Sequence, residues 1–295
     1  MRHLSIIIFA ASILAFTPFI GHAATVTVTP ATVLQGDPIM VHVNGATTAD
    51  ISDGAIGSTK LHFFTHDFTP VALYGVDLRQ KIGTTTVIVN FADGTRATAS
   101  FVIQPRTYPR EYMAIPTQLG GNSVENQNRI VNILQLENDQ LAAIRSDTRK
   151  LFFSAEDSDL FAFPLASTTE NPLTITNGYG YNRDSGAAVI THKGADFHAI
   201  PGTPVYAIAD GIVRDARPYT VYGNSIIVDH GLGLLSMYMH LTDMNVSAGQ
   251  YIQKGQLIGH SGETGYSEGA HLHLTIRING ISIDPIRFFQ MFGTR

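Results

Sequence analysis

Cysteine is absent from the 295-residue chain, which excludes disulfide bonds and any thiolate metal site. A bound metal ion would therefore need histidine and carboxylate ligands. The chain also has no excess of basic residues: it contains 19 lysines and arginines and 24 acidic residues, which gives a net charge of −5. Electrostatics thus give no support to a nucleic-acid partner. No glycine-rich phosphate loop opens a predicted helix, so nucleotide binding is not indicated either.

Long apolar runs are also lacking, except at the N-terminus. Arg2 is followed by a largely apolar stretch over residues 4–20, and small residues at 21–24 offer a cleavage site. This pattern predicts a signal peptide over residues 1–23 and an exported, soluble mature protein. The alternative, a retained membrane anchor, is disfavoured because the run is short for a span and contains Pro18.

The remaining composition, 44% hydrophobic and 15% charged, suits a mainly β chain of two domains. Alternating apolar residues predict a small β-sandwich of immunoglobulin type over residues 24–105. Its clearest hairpin joins strands at 84–91 and 98–103 through the Asp93-Gly94 turn. Two histidines of this region, His62 and His66, lack a completing carboxylate and are interpreted as ordinary sheet residues.

Residues 106–165 are predicted to link the two domains. Prolines and a Gly-Gly pair precede Ser123, a candidate N-cap, and apolar residues then recur at helical spacing to about residue 150. We interpret this helix as amphipathic, with Glu137 and Asp139 away from its apolar face. Because about 60 residues are more than a connection needs, we also hypothesise that residues 104–165 cover the functional groove and lower activity. A chain beginning near Asn171 would then be more active.

Short Val/Ile strands and glycine turns predict a second β domain over residues 166–295. Its organising stretch is His271-Leu272-His273, because residues at i and i+2 of a strand point to the same side. Seven of the 12 histidines lie between His192 and His273, and the same window contains His192-x-x-x-Asp196.

These residues predict a zinc site. Catalytic zinc takes three protein ligands and keeps one position open, and His192, Asp196 and one histidine of the 271/273 pair provide such a set. Gly194 is expected to let the backbone bend between the first two ligands. The spare histidine of the pair and His240 are candidates for a base. Alternation along 236–240 predicts a polar strand face, as expected of a substrate groove.

Taken together, the motifs resemble the lysostaphin-type zinc endopeptidases of peptidoglycan, which have a duplicated hybrid motif fold. The resemblance covers about residues 175–288, and the β module and helix before it are similar to the N-terminal region of some exported members. The motifs that carry it are His192-Lys193-Gly194-Ala195-Asp196, Tyr238-x-His240-Leu241 and His271-Leu272-His273, framed by Pro204-Val205-x-Ala207, Tyr222-Gly223-Asn224, Gly255-Gln256-Leu257-Ile258-Gly259 and Asp284-Pro285.

The resemblance implies a role for each motif. His192, Asp196 and His273 would bind one zinc ion, and His240 and His271 would act as base and as stabiliser of the oxyanion. The site would lie on the floor of an antiparallel β-sheet groove. The substrate would be the peptide cross-links of the bacterial cell wall, which places the protein in the periplasm or cell-wall space.

Further residues receive weaker assignments. Tyr181 and Arg183 lie where the family's groove begins and are candidate substrate contacts. His198 is two residues after Asp196 and is therefore expected on the same face of the strand. It either supports a metal ligand through a hydrogen bond or is an ordinary hydrogen-bonded polar side chain. His230 is predicted to be a turn residue bonded to backbone, and His260 departs from the family pattern.

Two other functions remain open at this point. One is a catalytically silent wall-binding or regulatory module that retains the ligands. The other is an adhesin-like β protein with incidental histidines, which would hold no zinc.

Overall fold

The computed structural model describes residues 24–148, 150, 152, 159–166, 173–184, 186 and 189–294. The predicted signal peptide and Asn171 lie outside these residues. Within these ranges, neither helix combines the length and the apolar character that a membrane span requires. The fold is mainly β, as predicted.

The N-terminal region is a β-sandwich, as predicted. One sheet has the order β1-β3-β7-β6, the other has the order β2-β9-β8-β4-β5, and apolar side chains from both fill a shared core. The immunoglobulin type of this sandwich stays a prediction. Its strands are β1 (Thr25–Thr29), β2 (Thr32–Leu34), β3 (Pro38–Asn44), β4 (Ile51–Ile56), β5 (Thr59–Lys60), β6 (Phe63–His66), β7 (Thr69–Gly75), β8 (Gly83–Phe91) and β9 (Arg96–Gln104).

The β8–β9 hairpin confirms the strongest local prediction of the sequence. Gly94 has a φ of +84°, a left-handed conformation that glycine adopts without the steric cost of a Cβ. Asp93 Oδ1 accepts hydrogen bonds from the Thr95 amide (2.9 Å) and hydroxyl (2.6 Å) and closes the turn. The two strands then pair from Asn90↔Arg96 outward.

The segment after the sandwich contains β10 (Arg110–Tyr112) and α1 (Val124–Ala143). Ser123 is the N-cap of α1, as predicted, and its hydroxyl accepts a hydrogen bond from the Asn126 amide at 3.2 Å. Apolar side chains of α1, among them Leu141, pack on the C-terminal sheet. Contrary to the sequence interpretation, Glu137 lies on the buried side of the helix, only 6% exposed.

The C-terminal region is built on an antiparallel sheet with the order β11-β14-β21-β18-β17-β16-β19, to which β15, β20 and β22 attach. A smaller sheet joins β10, β12 and β13. The elements are β11 (Ile175–Asn177), β12 (Asn182–Asp184), β13 (Val189–Thr191), β14 (Ala195–His198), β15 (Pro204–Tyr206), β16 (Gly211–Tyr219), β17 (Gly223–Gly231), β18 (Leu234–Met244), β19 (Tyr251–Ile252), β20 (Leu257–Ser261), β21 (His271–Ile278), β22 (Ile281–Ile283) and α2 (Pro285–Met291).

The two faces of this sheet pack against different parts of the protein. Leu272 and Leu274 of β21 point into the main core, which also receives Met40 and Leu73 from the sandwich. The opposite face carries Met239 of β18, which packs with α1. Since side chains alternate along a strand, the histidines of β21 share the face that α1 covers.

His230 lies in β17 rather than in a turn, which corrects the sequence prediction. Its Nδ1 hydrogen bonds to the Asp210 carbonyl at 2.8 Å and its Nε2 to the Ser236 hydroxyl at 2.8 Å. The Ser236 hydroxyl in turn donates a hydrogen bond to the Tyr238 hydroxyl oxygen at 3.1 Å. The same Tyr238 oxygen also accepts a hydrogen bond from the Ile208 amide at 2.9 Å. The polar atoms of residues 236 and 238 thus serve a buried network, not a groove face.

Burial lowers the pKa of His230 from 6.5 to about 4. Between these two pH values the unfolded chain therefore binds a proton that the folded chain does not. The contribution of neutral His230 to the free energy of unfolding is complete above pH 6.5 and is lost as the pH falls towards 4. Lowering the pH from 7 to 5 is expected to reduce the free energy of unfolding by about 2 kcal/mol through protonation of His230 in the unfolded chain. Urea unfolding at both pH values should show a smaller loss for His230→Gln than for the parent; equal losses would contradict this origin.

Candidate metal centre

Strand pairing brings the three predicted ligands together. His192 follows β13 directly, Asp196 lies in β14 and His273 lies in β21. Asp196 and His273 are direct partners in the antiparallel β14–β21 ladder, so their side chains stand next to each other on one face. His192 reaches the same point from the turn before β14.

The ligand atoms converge closely. Asp196 Oδ1 lies 2.8 Å from His273 Nδ1 and 3.1 Å from His192 Nε2, and the two nitrogens are 3.0 Å apart. All three side chains are buried. Among the residues that the structure describes, this is the one group of at least three histidine and carboxylate side chains positioned to bind a metal ion.

The remaining ring nitrogens fix the orientation of both imidazoles. His192 Nδ1 donates to the Gly178 carbonyl at 2.8 Å, which leaves Nε2 with the lone pair. His273 Nε2 donates to the Thr275 hydroxyl at 2.9 Å, and that hydroxyl donates to the Lys193 carbonyl at 3.2 Å. Such outer hydrogen bonds hold a metal-binding histidine in its ligating tautomer. Thr275, two residues beyond His273 on the same strand face, was missed by the sequence reasoning although alternation pointed to it.

Gly194 is needed for close approach rather than for a bend, which corrects the sequence expectation. A Cβ at this position would lie 2.5 Å from His273 Nε2 and 2.5 Å from the Leu274 carbonyl oxygen. Its φ is outside the left-handed region that favours glycine. The missing side chain therefore lets the turn press against β21 beneath the candidate ligands.

Asp196 remains ionised despite its burial. Burial by itself would raise the pKa of this carboxyl, but the adjacent His192 and His273 imidazoles, whose ring nitrogens lie within hydrogen-bonding distance of Oδ1, hold the pKa well below its usual range. The second carboxylate oxygen pairs with the Arg183 guanidinium. A carboxylate that stays charged at neutral pH suits a divalent cation.

His271 directs one ring nitrogen into the site. Its Nδ1 donates to the Gly269 carbonyl at 2.8 Å and lies 3.2 Å from the Ser267 hydroxyl oxygen. Its Nε2 lies 3.7 Å from Asp196 Oδ1, is buried and has no hydrogen-bond partner among the described residues. A buried nitrogen with a lone pair and no partner is prepared to accept a proton.

His240 completes a cluster of four imidazoles. Its ring centre lies 4.8 Å from that of His271 and 6.0 Å from that of His273. Its Nδ1 donates to the Thr264 carbonyl at 2.7 Å, so Nε2 is the nitrogen left for chemistry. Burial, followed by the neighbouring His271 and His273 rings, lowers the pKa of His240 to about 3, which keeps this side chain neutral at physiological pH.

A backbone irregularity, not strand alternation, places His240 in the site. Regular alternation would send it to the core side with Tyr238, which is fully buried in the main core. His240 instead has a φ of +61°, in the left-handed region that non-glycine residues rarely adopt. Its ring thereby reaches His271 on the other face of the sheet.

The two predicted substrate contacts have different surroundings. Arg183 in β12 pairs with Asp196 and approaches Glu111 of β10 at 3.7 Å, with only 18% of its side chain exposed. The Tyr181 side chain is half-buried, and its carbonyl accepts a hydrogen bond from the His192 amide at 2.7 Å. Contact of either residue with substrate stays a prediction.

The other histidines lie outside the ligand group. His198 is exposed, and His260 is half-exposed and pairs with Asp243 at 2.8 Å. His62 and His66 lie in the sandwich region, where His66 packs edge-on against Phe292 with ring centres 6.2 Å apart.

Residues 110–114 connect the two sides of the site. β10 pairs in parallel with β12, placing Glu111 opposite Arg183. Farther along, the Met113 carbonyl accepts from the Tyr266 hydroxyl at 2.8 Å, and the Ala114 amide donates to Glu268 at 2.8 Å. The segment is therefore bonded both to the strand of Arg183 and to the loop that contacts His271.

Comparison with known proteins identifies the C-terminal region. The model of Peptidase family M23 matches residues 190–285, a range that contains all five predicted ligand and catalytic residues. The Vibrio cholerae peptidoglycan DD-endopeptidase ShyA is 37% identical over 99 residues, which are 34% of this chain and 23% of that protein. The DD-carboxypeptidase/endopeptidase Mpg of Neisseria meningitidis is 39% identical over 95 residues, 32% of this chain and 22% of that protein.

The alignments thus span less than a quarter of the length of these two relatives. A crystal structure described as a peptidase M23 from Pseudomonas aeruginosa has a TM-score of 0.58 and 21% sequence identity, covering 86% of this chain and 93% of that one. This likeness supports the fold over most of the chain. The chain therefore carries a peptidase family M23 domain at residues 190–285, which confirms the resemblance drawn from its sequence.

Proposed function

We propose that this protein is an exported, zinc-dependent endopeptidase that hydrolyses the peptide cross-links of bacterial peptidoglycan. The observation that carries the proposal is the convergence of His192, Asp196 and His273 beside the paired imidazoles of His240 and His271. A structural zinc site would need no such second pair, because all its positions are filled by protein ligands.

The donor set fits zinc. Two imidazole nitrogens and one carboxylate oxygen are ligands that zinc accepts, and three protein ligands leave one position free. Atoms bound to a tetrahedral zinc ion lie about 3.3 Å apart for bonds of about 2.0–2.1 Å. The three separations found here, 2.8 to 3.1 Å, are only a few tenths of an ångström shorter.

When bound, zinc would supply a Lewis acid that polarises the scissile carbonyl and lowers the pKa of a water molecule. The chain's own residues would do the rest. His271 accepts the proton of the attacking water at Nε2, since its Nδ1 hydrogen is held by the Gly269 carbonyl. A protonated imidazole is then a donor that delivers the proton to the leaving amine.

His240 would act beside it. With Nδ1–H bound to the Thr264 carbonyl, it has the same tautomer as His271 and presents Nε2 to the reacting groups. Once one ring has taken up the proton, it can hydrogen bond to the oxyanion that develops on the carbonyl oxygen. His240 is buried and only 13% of the His271 side chain is exposed, which limits competition from bulk water for these bonds.

For the substrate we propose D,D-peptide cross-links rather than glycine bridges. Two relatives named above are called DD-endopeptidase and DD-carboxypeptidase/endopeptidase. Tyr181 and Arg183 would contact the stem peptide at the groove entrance. The partners of the mature protein would be one zinc ion and the stem peptides of peptidoglycan. Nucleic acid is not proposed as a partner.

The test is digestion of purified walls of two known chemistries by the zinc-loaded protein. We expect mass spectrometry to detect conversion of cross-linked dimers to monomers in walls with direct D-alanyl-diaminopimelate links, but not in walls with glycine bridges. A zinc chelator should stop the reaction and added zinc should restore it. Unchanged walls of both kinds would contradict the proposed activity and favour a silent wall-binding module.

A further inference from the structure

Helix α1 inserts one buried carboxylate beneath a loop of the peptidase domain. Glu137 is 6% exposed, and its oxygens accept from three consecutive backbone amides of the turn between β16 and β17. Thr220 donates at 2.5 Å, Val221 at 3.0 Å and Tyr222 at 3.3 Å. Charge-assisted bonds to backbone amides are stronger than neutral ones, so this carboxylate fixes the position of the turn.

The same turn holds the backbone of His240. The Tyr222 carbonyl, one peptide unit from the amides that Glu137 binds, accepts a hydrogen bond from the His240 amide at 3.0 Å. At His240 the chain adopts the left-handed conformation, with a φ of +61°, that turns its ring towards His271. A non-glycine residue keeps such a conformation only where its surroundings hold it there.

Further contacts of α1 reinforce the turn. The Tyr222 hydroxyl donates to Asn138 Oδ1 at 2.8 Å. Leu141, one helical turn beyond Glu137, packs with Tyr219 and Met239, and Met239 is the residue directly before His240. The helix thus contacts both chain segments that meet at His240.

From these contacts we infer that Glu137 is a positioning residue for His240: it anchors the 220–222 turn, and the turn holds the strained backbone that presents the imidazole to the site. The inference rests on the proposed function for its catalytic consequence. It also makes α1 part of the catalytic architecture rather than a spacer between two domains.

The experiment compares Glu137→Ala and Glu137→Gln in the full mature chain with Asp139→Ala as the matched control. Asp139 is an exposed carboxylate of the same helix, and its Oδ1 accepts only from the Gln135 side chain among the contacts described. The readouts are zinc content, kcat and KM on cross-linked walls, and the imidazole nitrogen signals in histidine-labelled NMR spectra.

For Glu137→Ala we expect the His240 signals to shift while those of His192 stay, and kcat to fall on the order of 10- to 100-fold with zinc content and KM retained. Glu137→Gln keeps one acceptor oxygen and the shape of the side chain, so its shifts and its loss of kcat should be smaller and in the same direction. Asp139→Ala should match the parent in every readout.

Unchanged His240 signals in both Glu137 variants would overturn the inference, as would a loss of activity that only parallels a loss of zinc. If Glu137→Ala does not fold, Glu137→Gln decides alone: parental signals and kcat overturn the inference. An inactive parent protein would instead refute the proposed function, and the NMR comparison would still decide whether Glu137 positions His240.

Discussion

His271→Ala is expected to lower kcat for wall hydrolysis by a factor on the order of 10² to 10⁴, the usual contribution of a general acid or base. The physical reason is that His271 Nε2 lies buried and unpartnered beside Asp196 without belonging to the ligand group. Zinc content should therefore stay at the parental level. Rates of cross-link cleavage and metal analysis of the same preparation measure both parts.

His240→Ala should show the same pattern, since this ring adjoins His271 without contributing a ligand atom to the group. His260→Ala is the matched control, because His260 is a half-exposed histidine of the same domain that pairs with Asp243 and does not belong to the ligand group. Parental rates in both His240→Ala and His271→Ala would mean that the catalytic roles are wrong.

Asp196→Ala is expected to abolish zinc binding and activity together. This change removes the one oxygen ligand and also leaves the Arg183 guanidinium, only 18% exposed, without its main counter-ion. Loss of an outer-layer partner lowers metal affinity by about 10- to 100-fold, and loss of a direct ligand should exceed that range. Metal affinity and kcat/KM of the variant provide the measurement.

The matched control is Asp243→Ala, a half-exposed carboxylate that also pairs with a histidine, His260. It should keep parental metal affinity and activity. Full activity of Asp196→Ala would contradict its role as a ligand. Loss of activity with zinc retained would show that Asp196 is needed for activity but not for metal binding.

Much of the site follows from strand periodicity. His271 and His273 face the same way because they are two residues apart in β21, and the leucines between and after them enter the core as expected. The ordered motifs then identified Asp196 and His192 correctly as neighbours of His273. The sequence could not reveal the β14–β21 register that puts Asp196 directly opposite His273, since that pairing joins strands distant in the chain.

Other features depend on contacts that carry no local signal. Alternation predicted that Ser236, Tyr238 and His240 share one groove face, but among these three only His240 reaches the site, because its positive φ turns it away from the core side that the other two occupy. Gly178 and Thr264 serve through their carbonyls, which every residue type possesses. Glu137 was interpreted as a surface charge, although its three amide donors lie more than 80 residues away in sequence.

The hypothesis that residues 104–165 lower activity stays a prediction, and the structure changes how it should be tested. Residues 110–114 bond to both sides of the site, which is the arrangement a covering segment would need. A chain beginning near Asn171 would also lose Glu137 and the apolar side chains of α1 that pack on the sheet. Its activity would therefore mix release of the groove with displacement of His240, so a decisive test must keep α1.

Binding of one zinc ion by His192, Asp196 and His273 is tested by the zinc content of the purified mature protein after dialysis against metal-free buffer. We expect one zinc ion per chain in the parent and none in Asp196→Ala. A parent protein that binds no zinc when the metal is supplied, or an Asp196→Ala variant that binds as much as the parent, would contradict it.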